Sequence, residues 1–340
     1  MAEKSHTWIW ERIKANRQKL TTIVSVLFSL IVIIYVLLQT DWRLVQATFA
    51  TLNWGWLLIA FVIFILNYVL RTIRFRRLIY SKRVPFLPLL SVTNLYGMYN
   101  YLLPAKSGEV TYPLLLKRRL AIPLTESVIS LLVARFFDFV TIALFLPAVL
   151  IAFWKQMPDW LLVASLIFSI GMYLITGASR WFLRRMQPHD PSSTKDAIPS
   201  SRWRQVFHNL LASLWQIDKQ GDYWQFLLVT ISIWFCVYAN FFFILLSLGY
   251  QVNFFQMVIV SIIMVPMTLL PVQGVANLGT HEIGWVVAFQ IFGYSEQFAL
   301  NVAVSSHMLL LLFVFILGAI GFLMSILTDR MALQGNVGND

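Results

Sequence analysis

Apolar residues fall along this chain in long blocks. They cover residues 20–38, 54–70, 125–153, 160–177, 224–248 and 298–327. Each block approaches or exceeds the ~20 residues a helix needs to cross a bilayer. The blocks are too long and too continuous for barrel strands of ~10 alternating residues. Two further apolar regions, 86–116 and 254–293, are cut by proline, glycine and ionisable residues. The pattern predicts an all-α polytopic membrane protein. We expect six spanning helices plus two re-entrant helical hairpins from opposite faces, arranged as an inverted repeat.

The two interruptions are alike. The first follows Asn100 and reads Leu102-Leu103-Pro104-Ala105-Lys106-Ser107-Gly108-Glu109. The second reads Leu269-Leu270-Pro271-Val272-Gln273-Gly274, then, past Asn277, Gly279-Thr280-His281-Glu282. Both run Leu-Leu-Pro, Gly, Glu. Proline removes a backbone donor and glycine loosens a helix, so each should break a helix within the membrane. Such breaks are tolerated there only inside protein or beside a wet cavity.

Charge adds orientation. The net charge is +11, and Lys and Arg gather at 4–19, 71–83, 117–119 and 180–219. With six spans and two hairpins, all of them lie on one side except Arg43 and Lys155 outside and Arg135 within the membrane. The positive-inside rule makes the crowded side cytoplasmic, with both termini there, and explains the basic balance without nucleic acid. The run at 20–38 exceeds a signal-peptide core and reads as a retained anchor. The layout has five parts: a basic segment 1–19; a first membrane half 20–179, with a cytoplasmic-side hairpin near 86–116; a polar linker 180–223; a second half 224–328, with an outer-side hairpin near 254–293; and a tail 329–340.

Composition agrees. Hydrophobic residues make up 59% and charged residues 12%, against about 25% charged in soluble domains. Mean hydropathy is +0.73. The sole cysteine, Cys236, lies in an apolar run and reads as a packed thiol.

Ionisable residues at mid-bilayer are costly, at roughly 2.5–3.5 kcal/mol on insertion scales. Glu109, Arg135, Asp138, His281, Glu282 and His307 therefore stand out. Arg135 and Asp138 share a helix face at i,i+3, as a locked structural pair would. The planar fork of Arg135 also suits a phosphate. Glu109 and Glu282 each fit a helix-capping role, a proton site or a head-group contact. Lys106 fits a snorkelling residue or a head-group contact, and His307 a proton site or a packing residue. Glu109 precedes Arg135 by 26 positions, and Glu282 precedes His307 by 25, so the polar register repeats.

Enzyme signatures are missing. Position 285 is Trp, so His281-Glu282 lacks the second histidine of a zinc-protease helix. There is no nucleophile elbow, P-loop or metal-spaced Cys/His set. We expect no enzymatic activity, cofactor or metal.

The stretch Asn100–Glu109, then Arg135-Phe136-Phe137-Asp138, then Pro271–Glu282, resembles the lysylphosphatidylglycerol synthase transmembrane region. This is a flippase-like family related to the membrane half of multiple peptide resistance factors, and the resemblance spans roughly residues 20–328. It implies movement of lipids or lipid-linked molecules between leaflets. It would place Pro104, Lys106, Gly108, Glu109, Arg135, Asp138, Gly274, Gly279 and Glu282 around a translocation cavity. Tyr112 stands where the family often has a basic residue, and His281 stands in for one before the second Glu. The aminoacyl-transferase domain of larger relatives is absent from this sequence.

The resulting expectation is an inner-membrane flippase or transporter of an anionic phospholipid or polyprenyl-phosphate-linked molecule. Two alternatives remain. One is an accessory subunit or enzyme of lipid modification, docking a synthase through 180–223. The other is a proton-coupled transporter of a small solute.

Overall fold

A computed structural model describes residues 30–31, 34–104, 107–156, 158–185, 223–269 and 274–337. All regular structure among them is helical. The chain is an all-α polytopic membrane protein. Five of the described helices are long and apolar enough to cross a bilayer. The first expected span lies largely outside the described residues, as do most of the 180–223 linker, Ala105-Lys106 and residues 270–273.

Helix α1 (Trp42–Ala50) lies between the first two apolar blocks. Asp41 caps it, accepting from the N–H groups of Arg43 and Leu44 at 3.0 and 3.2 Å. The spans α2 (Trp54–Leu78), α5 (Leu124–Ala152), α6 (Asp159–Arg185), α7 (Tyr223–Ser247) and α10 (Glu296–Val337) follow the apolar blocks, several with added turns. Between them lie two pairs of short helices, α3 (Phe86–Leu102) with α4 (Thr111–Leu120), and α8 (Phe254–Leu269) with α9 (Thr280–Ile291). At 1.5 Å per residue α3 and α8 reach only about 24–26 Å, short of the hydrocarbon thickness.

The two halves pack as mirror tasks. α2 lies along α7, α3 against α10, and α8 against α5; α4 meets α5 as α9 meets α10. Two hydrogen bonds fix the central pair. Asn67 Nδ2 donates to the Ile233 carbonyl, and Asn240 Nδ2 donates to the Ala60 carbonyl, each at 2.8 Å. One offset of 173 residues relates Ala60 to Ile233 and Asn67 to Asn240, and the same offset relates Glu109 to Glu282. Because Asn67 meets Ile233 while Ala60 meets Asn240, α2 and α7 run antiparallel. An antiparallel central pair is what the expected inverted repeat requires.

Small residues let α3 approach α10 closely. A Cβ on Gly318 would lie 2.2 Å from the Met98 sulfur, and one on Gly321 2.8 Å from Asn94 Cβ. Ser91 Oγ donates to the Gly321 carbonyl at 2.7 Å. Away from these seams the helices expose large apolar side chains, α6 most of all, with Ile167 and Leu174 about two-thirds exposed. A bilayer is the solvent that tolerates such a surface. Exposed Trp54, Trp154 and Trp160 sit at one set of helix ends and Trp181 and Trp224 at the other, as interfacial belts do. Cys236 is buried.

Candidate functional site

The first break sits under α3. After Leu102 the chain turns through Pro104, whose carbonyl accepts from the backbone N–H and hydroxyl of Ser107 at 3.1 and 2.7 Å. A 3₁₀ turn, Ser107–Val110, then leads into α4. Gly108 is buried against the backbone of α3. A Cβ there would lie 2.3 Å from Asn100 Cα and 2.5 Å from the Tyr99 carbonyl oxygen. Only glycine permits that approach, and the approach presents Glu109 to α5. Glu109 pairs with Arg135 Nη2 at 2.8 Å. Tyr96 Oη lies 3.4 Å from the same nitrogen.

Behind this pair lies a buried one. Arg74 Nη1 donates to Asp138 Oδ1 at 2.6 Å, with the two side chains 2% and 9% exposed. Trp234 Nε1, from the other half, reaches the same oxygen at 3.2 Å. Arg135 Nη1 stands 3.6 Å from Asp138 Oδ2, the i,i+3 contact expected from sequence. Arg74 is nonetheless the closer partner of Asp138. The sequence reading placed Arg71 and Arg74 in a cytoplasmic basic cluster. That is corrected: α2 continues to Leu78, carrying both arginines within the fold. The spacing Asn67, Arg71, Arg74, Leu78 was the available signal, since it marks one helix face.

The second break repeats the scheme with different chemistry. Ala276 and Asn277 adopt left-handed backbone (φ 56° and 57°), and Gly279 follows at φ 87°. These turns carry the chain from Gly274 to the start of α9. There Glu282 Oε2 accepts from the Gly279 N–H at 2.7 Å, the capping role expected of it. The other oxygen, Oε1, pairs with His307 Nδ1 on α10. The Ala276 carbonyl lies 3.0 Å from His307 Nε2. Glu282 and His307 are 2% and 1% exposed. His281 stacks on His307 at 4.3 Å and on Trp285 at 5.3 Å. Each break thus hands a glutamate to a basic residue on the long helix after it, in the register the sequence showed.

The breaks meet. Tyr101, at the end of α3, packs edge-on against His307 at 5.8 Å. Beside that contact is a cavity of about 180 Å³ lined by both halves, including Arg71, Tyr101, Trp234, Asn277, His281 and Trp285. It is well beyond the roughly 10–15 Å³ that one water needs.

The family described as the lysylphosphatidylglycerol synthase TM region matches residues 22–318. The chain belongs to this family. No curated protein matches it. Membership in the lysylphosphatidylglycerol synthase TM region family, with the apolar helices, makes this a multi-pass membrane protein and points to a function involving membrane lipid.

Among the residues singled out from sequence, the fold brings Glu109, Arg135 and Asp138 into one cluster. It brings His281, Glu282 and His307 into another, with Asn277 at the cavity between them. Asn100, Gly108, Gly274 and Gly279 shape the breaks. Lys106 and Pro271 lie outside the described residues. Tyr112, at the position where a basic residue was noted for relatives, is fully buried against Phe75 (4.4 Å) and Tyr96 (5.1 Å). It is part of an aromatic stack beside the ion-pair cluster. Sequence reasoning missed Arg71, Arg74, Tyr101 and Trp234 as site residues.

Proposed function

We propose that this protein moves an anionic lipid, a phospholipid or a polyprenyl-phosphate-linked molecule, between the leaflets of the inner membrane, without enzymatic chemistry of its own. The observation that carries this reading is the meeting of two broken-helix hairpins at a cavity whose largely apolar wall carries Arg71, Asn277 and His281. Soluble packing gives no reason to gather two glutamates, an aspartate, two histidines and three arginines between the helices of so apolar a chain. A path for a head group does.

In this reading both termini are cytoplasmic, the α3–α4 hairpin opens inward, and the α8–α9 hairpin opens outward. The positions of Lys and Arg support that orientation even with Arg71 and Arg74 moved into the fold. Lipid tails would stay in the bilayer while the head group crosses beside the breaks. Each pairing of a glutamate with a basic side chain is a latch that a head group could exchange with, and exchange between two arrangements is what alternating access requires. Glu282 and His307 also favour a second reading, proton-coupled movement of a small solute.

Native mass spectrometry of the gently extracted protein separates these readings. Selective retention of a phosphate-bearing lipid is expected. Retention of no particular lipid, with pH-dependent uptake of a solute, would place the second reading first.

A further inference from the structure

The ion-pair cluster does not balance. Arg71, Arg74 and Arg135 face Asp138 and Glu109, so one positive charge is left over. Arg135 and Arg74 both touch carboxylates. Arg71 touches none among the described residues. Its Nε donates to Asn67 Oδ1 at 2.7 Å, which fixes the side chain, and its guanidinium stands 5.8 Å from the Tyr68 ring centre. Among the described residues its two Nη nitrogens have no hydrogen-bonding partner. Asn67 is itself anchored to α7 through Ile233, so the residue that orients Arg71 belongs to the seam between the halves.

Arg71 lines the cavity between the breaks, and the cavity wall holds further unsatisfied groups. Tyr101 Oη, Ser261 Oγ, His281 Nε2 and Trp285 Nε1 are buried without a hydrogen-bond partner, and all four residues line it. Ser261, His281 and Trp285 are 6%, 5% and 1% exposed. Buried polar atoms are normally satisfied, and these four have less than 1 Å² of accessible surface each, so small side-chain shifts must bring them to a ligand in the cavity. The indole N–H only donates, the hydroxyls can donate, and no carboxylate lines the wall. With Arg71 in the wall, the site favours an anion. Arginine's fork favours planar or tetrahedral oxyanions.

We propose that this cavity is a binding site for a singly charged phosphodiester, with Arg71 as its charge partner. One excess positive charge matches one negative charge. A pyrophosphate-linked carrier would bring more negative charge than the cluster leaves uncompensated. The phosphate chemistry is shared by a lipid head group and by free phosphate; the surroundings favour the lipid. Across α8 lies an apolar cavity of about 280 Å³, walled by residues such as Phe139, Leu161, Phe168, Ile259 and Ile262, and Val265 lines both cavities. That second space suits an acyl chain. This inference deepens the lipid-transport reading and rests on it only for the lipid source of the anion.

The test is isothermal titration calorimetry of the full chain in detergent micelles with dihexanoyl-phosphatidylmethanol, a phosphodiester with no further head-group function. Arg71→Gln should weaken binding roughly ten- to hundred-fold, the range for charge-assisted hydrogen bonds. Arg71→Lys keeps the charge but loses the fork and should weaken it less. Uncharged dihexanoylglycerol should not compete. A folded Arg71→Gln protein that binds like wild type overturns the site. If that variant does not fold, Ser261→Asp, which brings a counter-charge into the cavity, should produce the same loss, and unchanged binding would overturn the site equally. Inorganic phosphate binding as tightly as the lipid would keep the anion site and overturn its lipid occupant. The two proposals fail separately. Arg71-dependent binding without lipid translocation in vesicles rejects transport, and translocation without Arg71-dependent binding rejects the site.

Discussion

Asp138→Asn tests the electrostatic core of this fold. The Asp138 carboxylate is the hub of three contacts: Arg74 at 2.6 Å, Trp234 at 3.2 Å and Arg135 at 3.6 Å. Arg74 is 2% exposed, and its Nε already has no partner. Neutralising Asp138 would strand the Arg74 guanidinium, and breaking one side of a buried pair costs about 3–5 kcal/mol. Arg74→Met is the milder change, because Asp138 keeps Trp234 and Arg135. Its expected cost is about 1–3 kcal/mol. The double variant removes both charges and should be more stable than the sum of the single losses implies, by at least ~1 kcal/mol of coupling. Equilibrium unfolding in mixed micelles, followed by tryptophan fluorescence, measures all three. Asp138→Asn within ~0.5 kcal/mol of wild type, or strictly additive losses, would refute the claim that this pair is buried and mutually dependent.

Other consequences follow from particular contacts. Gly108→Ala sets a methyl 2.3 Å from Asn100 Cα, a backbone atom that cannot swing aside, so we expect a loss at or above the usual ~1–3 kcal/mol of overpacking, read by the same unfolding assay. Asn67→Ala and Asn240→Ala each remove one of the reciprocal α2–α7 bonds. Each should cost about 1 kcal/mol in that assay, but Asn67→Ala alone should also weaken phosphodiester binding, since only Asn67 holds Arg71. Ala121 follows α4 in left-handed backbone (φ 49°), so Ala121→Gly should raise stability by up to ~1 kcal/mol, visible as a higher unfolding midpoint.

The helical frame was legible because apolar blocks of bilayer length have few other meanings. Both breaks were legible because proline, glycine and glutamate recur in the same order. The repeated interval from glutamate to basic residue was also readable, and both intervals became contacts. Arg71 and Arg74 were misread for a physical reason. Basic residues after an apolar run usually mark the cytoplasmic face, and the counter-charge that draws Arg74 inward, Asp138, lies 64 residues later on another helix. No local pattern carries a pairing of that kind. Tyr101 and Trp234 were hidden similarly, because aromatic residues are so common here that those at a cavity look like those facing lipid. The left-handed turn at Ala276 was unreadable, as alanine rarely takes that backbone and the surrounding fold imposes it.

Translocation in reconstituted vesicles tests the central claim most directly. Vesicles carrying a fluorescent phospholipid analogue in both leaflets, with or without the protein, are exposed to a membrane-impermeant quencher. With wild-type protein, quenching should pass beyond the outer-leaflet half as inner-leaflet lipid becomes accessible. Glu282→Gln and Arg135→Ala, each disrupting one of the two corresponding glutamate–base contacts, should slow that second phase at least tenfold. Quenching that stops at the outer leaflet with wild-type protein, or a second phase indifferent to both substitutions, would contradict the account.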